Sequence, residues 1–444
     1  MKSSKRKICQ VLALVVSGMG ASLAMAAGPL IQGGGSSLVA PTIGANSPAS
    51  GEIGLFGTSN ATFTYYSVGS GAGQNAFLNN QPTFFGAGVT GTVDFANSDA
   101  ALTTAQVTAY NAGSVGANSG PLIQIPYIVT AITIPVVNGP AVTSVKTPQT
   151  TPNQAHSIAL NDDDLCGIFS GKLTNWNQVV NPEGGNYSLN APITVVYRTD
   201  GSGTTELLTR HLAAVCTTAN TASGVKFVDS LTFANTTAFP SGVPSNFVGA
   251  SGSGGVRASL SSLSSATSAP AAVAYLSPDY TNTYIASQST VVTPSGALQL
   301  PLASLYNSTA KAYYAPTYSN ATAAVNTSSA PATKAAASDP TQWVPVSGAA
   351  YTALANPSSG YPVSGTSQVI LSQCYADDTT ASNVQSFLNN HYTAANYATV
   401  VHGNGFDTVP TGFKTAIVAD FLSNTSGYGL DINNVNSCAR YVGR

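Results

Sequence analysis

Apolar and polar positions along this chain follow two rhythms, and their alternation predicts the layout. Short β-branched and aromatic runs, each ended by a Gly/Ser/Asn cluster, read as strands, and wider helical spacing follows several of the clusters. Residues 30–32 predict a short strand running into the turn Gly33-Gly34-Gly35-Ser36-Ser37. Residues 62–68 alternate aromatic and polar side chains before Gly69-Ser70-Gly71-Ala72-Gly73, and residues 93–96 predict a strand ended by Asn97-Ser98-Asp99. Residues 123–137 are apolar but interrupted by Pro126 and Pro135; the run is too long for one strand and predicts a crossing between two parts of the molecule. Residues 162–170 predict a helix with acidic residues in its first turn, 193–197 a buried strand, and 206–214 a helix. Strand signals return at 368–372, with helical segments around 381–389 and 413–422. This order predicts α/β layers. Two stretches, 217–244 and the low-complexity Ala/Ser/Thr/Asn segment 304–340, read as insertions, either surface loops or β excursions.

The first residues change the picture of where the protein works. Lys2, Lys5, Arg6 and Lys7 precede an apolar stretch from Val11 to Leu23, and Ala24-Met25-Ala26 has the small-x-small pattern of a cleavage site. The stretch is too short and too broken by Gly and Ser for a membrane span. Residues 1–26 are therefore expected to be a secretory signal, cleaved near Ala26, that leaves no span in the mature chain and puts it in the periplasm or outside the cell. Without the signal, 11 basic residues face 17 acidic ones, a formal charge of −6. That sign argues against nucleic acid as a partner, and it excludes anion capture by a general positive field. Charged residues make up only 7% of the chain, against roughly 25% in ordinary soluble domains, so hydroxyls and amides must solvate the surface. At 444 residues the chain is too long for one small core, and at least two lobes are expected. Cys9 leaves with the signal. Cys166, Cys216, Cys374 and Cys438 then form an even set in an oxidising compartment, which predicts two disulfides with three connectivities open. A zinc site fits less well, since there is no C-x-x-C and no nearby histidine pair. No metal and no cofactor is expected.

The candidate chemistry lies in a repeated junction of short strand, Gly/Ser turn and helix start, at 33–37, 69–73 and 201–205, with a fourth version at 252–256. Glycine lets backbone approach a ligand, and the first N–H groups of a helix are unpaired and carry partial positive charge. One such junction is usually only a tight turn; several facing one cleft would form an oxyanion site without net charge. None fits G-x-x-x-x-G-K-[ST], which excludes a nucleotide-type P-loop. Arg198 ends a strand just before the third junction and offers a bidentate guanidinium, with Asp200 placed to orient it. Asp99 is the sharper clue. A carboxylate repels an anion unless the anion carries a proton to donate, as hydrogen phosphate does and sulfate does not. The plainer reading, Asp99 as a cap for the segment after Ser98, is the alternative.

These segments resemble the periplasmic phosphate-binding proteins of high-affinity phosphate ABC transporters (PstS-like), and in particular their secreted DING relatives. The resemblance rests on Gly33-to-Pro41, Tyr65-to-Gly73, Val93-to-Asp99, Gly167-to-Trp176 and Arg198-to-Thr204, and most specifically on Arg-x-Asp-Gly-Ser-Gly-Thr. Weaker echoes stand at 254–256, 273–276 and 360–363. Leu30-Ile31-Gln32-Gly33 stands where the DING tetrapeptide would be, and Ser37 where the family more often has Thr. The resemblance implies a two-lobed type II periplasmic-binding-protein fold of the α/β class with two hinge crossovers, near 126–129 and 274–277. Lobe one would then be 27–127 plus 276–444, with 304–340 inserted, and lobe two 128–275. It implies phosphate ligands at Ser37, Leu38, Ser70 and Asp99 from lobe one and Arg198, Ser202, Gly203 and Thr204 from lobe two, with Asp200 behind Arg198. Sequential pairing, Cys166–Cys216 and Cys374–Cys438, is favoured because each bridge then stays within one lobe. The implied partners are inorganic phosphate and a transporter permease, with the protein itself a monomer. Two other classes compete: a secreted DING-type phosphomonoesterase, and an adhesin or surface appendage using segment 304–340. The enzyme reading is poorly supported by His156, His211, His391 and His402, which form no catalytic or metal spacing. Asp162-Asp163-Asp164 is better explained as the acidic first turn of a helix than as a metal site.

Overall fold

The glycine triplet expected in a turn is strand. In the computed structural model, which describes residues 28–45, 48–142, 144–265, 270–326 and 328–444, β1 (Leu30–Gly35) runs through all three glycines. It lies parallel to β2 (Thr62–Ser67) and to β3 (Phe95–Ser98). Packing gives the reason. A Cβ on Gly33 would sit 2.5 Å from the Phe95 ring, and one on Gly34 2.5 Å from the Tyr66 carbonyl oxygen. The turn is displaced to residues 36–39, before a short helix, Ala40–Ile43. The expected signal, residues 1–26, lies outside the described residues.

Three further strands complete a six-stranded sheet: β4 (Leu122–Ala131), β12 (Ser364–Ser372) and β13 (Asp407–Thr408), in the order β13-β4-β12-β3-β1-β2. Pro126 stands inside β4 with no N–H to give, and the register with β12 shifts between Ser367 and Gln368 at that point. A four-stranded sheet, β5-β9-β7-β8, is built from β5 (Val136–Val137), β7 (Ile193–Arg198), β8 (Phe247–Ala250) and β9 (Ala271–Ala274). The long apolar run is thus β4 and β5 with a crossing between them.

The two sheets mark two lobes, and the chain's two passages between them lie side by side. Thr133 and Leu276 form an antiparallel bridge, with N–H···O distances of 2.9 and 3.0 Å. β4 stays in the first sheet to Ala131, past the expected boundary at 127. Segment 304–340 opens as a β excursion, the second of the two forms expected for it. β10 (Ser304–Asn307) pairs with β6 (Ala159–Leu160), from the middle of the chain, and with β11 (Ala312–Tyr314). Trp343, just beyond the segment, is buried, with its Nε1–H on the Ala337 carbonyl at 2.9 Å. Both disulfides form as sequential pairs, Cys166–Cys216 and Cys374–Cys438. Among the described residues no helix is long and apolar enough to cross a membrane.

Candidate functional site

Three helix starts and one turn converge where the lobes meet. Helix Gly203–Val215 begins three residues earlier than the apolar spacing predicts, because Ser202 caps it with Oγ accepting the Thr205 N–H at 3.1 Å. Gly203 and Thr204 therefore lie in the first turn, and the Thr204 hydroxyl is buried with no partner. Helix Ser70–Leu78 starts from Gly69 at φ 91°, a conformation that glycine adopts without a Cβ penalty. Ser70 Oγ accepts the Asp99 N–H at 3.1 Å, and its hydroxyl also acts on the Asp99 carboxyl. The lobes are shut on one another here. The Gly71 N–H donates to the Gly201 carbonyl at 2.9 Å, and a Cβ on Gly203 would lie 2.5 Å from the Asp99 Cβ and 2.6 Å from the Ser70 hydroxyl.

Arg198 is 2% exposed at the end of β7. Its Nε and Nη2 donate to Asp200 at 2.7 and 2.5 Å, and Nη1 reaches the Ser253 hydroxyl at 3.4 Å. A guanidinium has five N–H donors, so about one on each terminal nitrogen remains for a ligand, the pair that suits an oxyanion. Asp200 also accepts the Gly252 N–H at 2.8 Å, tying the start of helix Gly252–Ser265 and the Arg198 guanidinium to one carboxylate. Burial pushes its carboxyl up, but the hydrogen bonds and charge of Arg198 outweigh that and hold it below the usual range. The Arg198 N–H donates to the Tyr275 hydroxyl, which also pairs with Thr205 Oγ1 at 2.8 Å, so strand and helix start are fixed together.

Asp99 faces this guanidinium from the other lobe and is 2% exposed. The hydroxyls of Ser36 and Ser367 both donate to its Oδ1, at 2.6 and 2.8 Å. Burial raises its carboxyl above the ordinary value, against the lowering effect of those serines, of Arg198 and of Ser70. Both of those hydroxyls are on Oδ1. A buried carboxylate aligned in this way can take a proton-bearing oxyanion.

The structure brings together Ser37, Ser70, Asp99, Asp200, Arg198, Ser202, Gly203 and Thr204. Two expected backbone or hydroxyl donors have other partners. The Leu38 N–H donates to Ser36 Oγ at 3.0 Å, and the Ser37 hydroxyl contacts Ser253 Oγ at 2.9 Å. Three residues join the site unexpectedly. Ser253 was legible, since it sits in the fourth Gly/Ser junction. Ser36 adjoins an expected ligand. Ser367 carries no local signal; it is one position in an alternating strand, 268 residues from Asp99. The histidines and the acidic run lie in other contacts. His211 bonds Asp162 at 3.1 Å, His402 bonds Asp407 at 2.9 Å, and Asp164 completes a capping box with Asn161. Burial raises Asp164 to about 6.

Comparison with known proteins places the chain's fold and family. Residues 26–340 match the PBP superfamily domain. Alkaline phosphatase L of Pseudomonas aeruginosa is 34% identical over 380 residues, covering 85% of this chain and 86% of that protein. A phosphate-binding protein from an unidentified prokaryote is 35% identical over 379 residues, covering 84% and 91%. The solved structure of PfluDING, a high-affinity periplasmic phosphate-binding protein bound with phosphate, superposes with a TM-score of 0.72 at 33% identity, covering 93% of this chain and 99% of that one. By its two-lobed fold and by these relatives, the chain belongs to the periplasmic binding protein superfamily and, within it, to the DING/PstS type.

Proposed function

We propose that this protein captures hydrogen phosphate in the cleft between its lobes, for delivery to a transporter or for scavenging outside the inner membrane. Asp99 carries the reading. A carboxylate buried in an anion cradle is useful only to an anion that donates a hydrogen bond, and sulfate has no proton to give near neutral pH. Oδ2 of Asp99 takes the phosphate O–H. The two free N–H groups of Arg198, the hydroxyls of Ser37, Ser70, Ser202 and Thr204, and the N–H groups at the start of helix Gly203–Val215 hold the remaining oxygens. Leu38 shares its N–H between Ser36 and the ligand. The lobes, one around each larger sheet, close by rotation about the paired crossings at Thr133 and Leu276. Signal-directed export would place the chain in the periplasm or beyond it, where its disulfides persist. Calorimetric titration with phosphate tests the proposal: tight binding is expected, weakened about tenfold to a hundredfold by Asp99→Asn or Arg198→Ala. No heat of binding from the folded wild type would overturn it.

A phosphomonoesterase is the second reading, favoured by the relative called alkaline phosphatase L. Against it, His211, His391 and His402 are all engaged with carboxylates outside the site, and a closed cradle of many donors would retain its product. Robust turnover of p-nitrophenyl phosphate, lost on Asp99→Asn, would reverse the ranking.

A further inference from the structure

Ser253 is a hydroxyl in the site that touches groups from both lobes. It lies in the first turn of helix Gly252–Ser265, is fully buried, and stands 216 residues from Ser37 in sequence. Three contacts define its position. Its N–H donates to Ser37 Oγ at 3.2 Å, its Oγ lies 2.9 Å from the same Ser37 Oγ, and Arg198 Nη1 donates to its Oγ at 3.4 Å.

Two hydrogen placements are compatible with these contacts. In one, the Ser253 oxygen accepts from the guanidinium, which can only donate, and the Ser253 hydrogen points to Ser37. The Ser37 oxygen then accepts both the N–H and the O–H of Ser253, and both its lone pairs are used. Its own hydrogen can go only to a further acceptor. The resulting order, Arg198 to Ser253 to Ser37 to ligand, is head-to-tail, and each bond polarises the next. In the opposite order Ser37 donates to Ser253, whose two lone pairs are then filled, and Ser37 keeps no hydrogen for a ligand; the first order is the one that leaves Ser37 a donor.

We propose that Ser253 is a positioning residue: it passes the donor polarity of Arg198 in one lobe to the Ser37 hydroxyl in the other, and so fixes Ser37 as a hydrogen-bond donor to the bound oxyanion once the cleft closes. The assignment rests on the phosphate reading above. It extends that reading by adding a residue that does not itself touch the ligand and works only in the closed form. Ser37 without Ser253 would be a hydroxyl free to turn either way, and part of any binding gain would be lost in orienting it.

The test is a double-mutant cycle read by phosphate calorimetry on the full chain. Ser253→Ala should weaken phosphate binding about tenfold while the melting temperature stays close to that of the wild type. Ser253→Thr, which keeps the hydroxyl, should restore affinity to within about threefold. In a Ser37→Ala background, adding Ser253→Ala should change Kd less than twofold, because the residue through which Ser253 acts is gone. In a Ser70→Ala background the same substitution should keep its full tenfold effect. A full tenfold loss in the Ser37→Ala background, or failure of threonine to rescue, overturns the relay. So does an unchanged Kd for Ser253→Ala in a protein that binds phosphate. A wild type that binds no phosphate instead sinks the phosphate reading and the relay with it.

Discussion

Asp99 sets function against stability within a single side chain. Burial raises its carboxyl above the ordinary value, so the folded protein without ligand holds that proton more tightly than the unfolded chain. The sign follows. Once pH exceeds both values, the charged carboxylate costs stability, and the cost is relieved only as pH falls through the folded value. Asp99→Asn removes that cost. The ligand-free variant is expected to melt about 2 °C above the wild type at neutral pH and to lose the difference in mild acid, while binding phosphate more weakly. A variant that melts lower at neutral pH would show that the serine bonds on Oδ1 outweigh desolvation. Asp99 and Arg198 were legible in the sequence because their chemistry is unusual beside Gly/Ser turns. Ser367 was not, because a serine on an alternating strand looks the same whether it meets solvent or a buried carboxylate.

Among the elements, the glycines of β1 show where local patterning misleads. Three glycines in a row have the composition of a turn, yet here they are the only residues small enough to fit between β2 and β3. Gly34→Ala would press a methyl group against the Tyr66 carbonyl oxygen and the Phe85 ring, 2.5 and 2.9 Å away. It is expected to cost about 1–3 kcal/mol in denaturant unfolding, whereas Gly412→Ala, with nothing within reach of its Cβ, should affect packing little. Helix starts were read better than strand ends. The acidic first turn and Asn161 cap place helix Asp162–Ser170 where its spacing put it. Helix Gly203–Val215 starts early because the Ser202 hydroxyl caps it, a hydrogen bond that apolar spacing does not record.

At the scale of the whole molecule, the closed cleft and the buried charges decide behaviour. Gly203 is one of the contact points of the lobes, so Gly203→Ala should wedge them apart: phosphate affinity should fall at least tenfold with little change in melting temperature, and small-angle scattering should show a more open form. Unchanged affinity would mean the backbone there yields. In lobe one, Glu52 accepts the Tyr127 hydroxyl and the His391 Nδ1–H, the latter at 2.7 Å, while His391 Nε2 meets the Tyr127 carbonyl. The two rings stack 3.7 Å apart. Glu52→Ala leaves that histidine and phenol buried without their acceptor, and it should lower unfolding stability by about 3–5 kcal/mol without changing phosphate affinity. The sequence by itself determined the layered α/β order, the sparing use of charge and the four cysteines that pair, and it supplied the proposed oxyanion chemistry of Arg198, Asp99 and the Gly/Ser junctions. These depend on residue type and near-neighbour spacing, which the chain displays directly. Only the tertiary structure decided that the β1 glycines are strand, that segment 304–340 is built into the body, that Ser253 bonds Ser37, and that Ser367 bonds Asp99. Each of those depends on which distant segment packs alongside, and a contact across 216 or 268 residues leaves no periodicity in the chain.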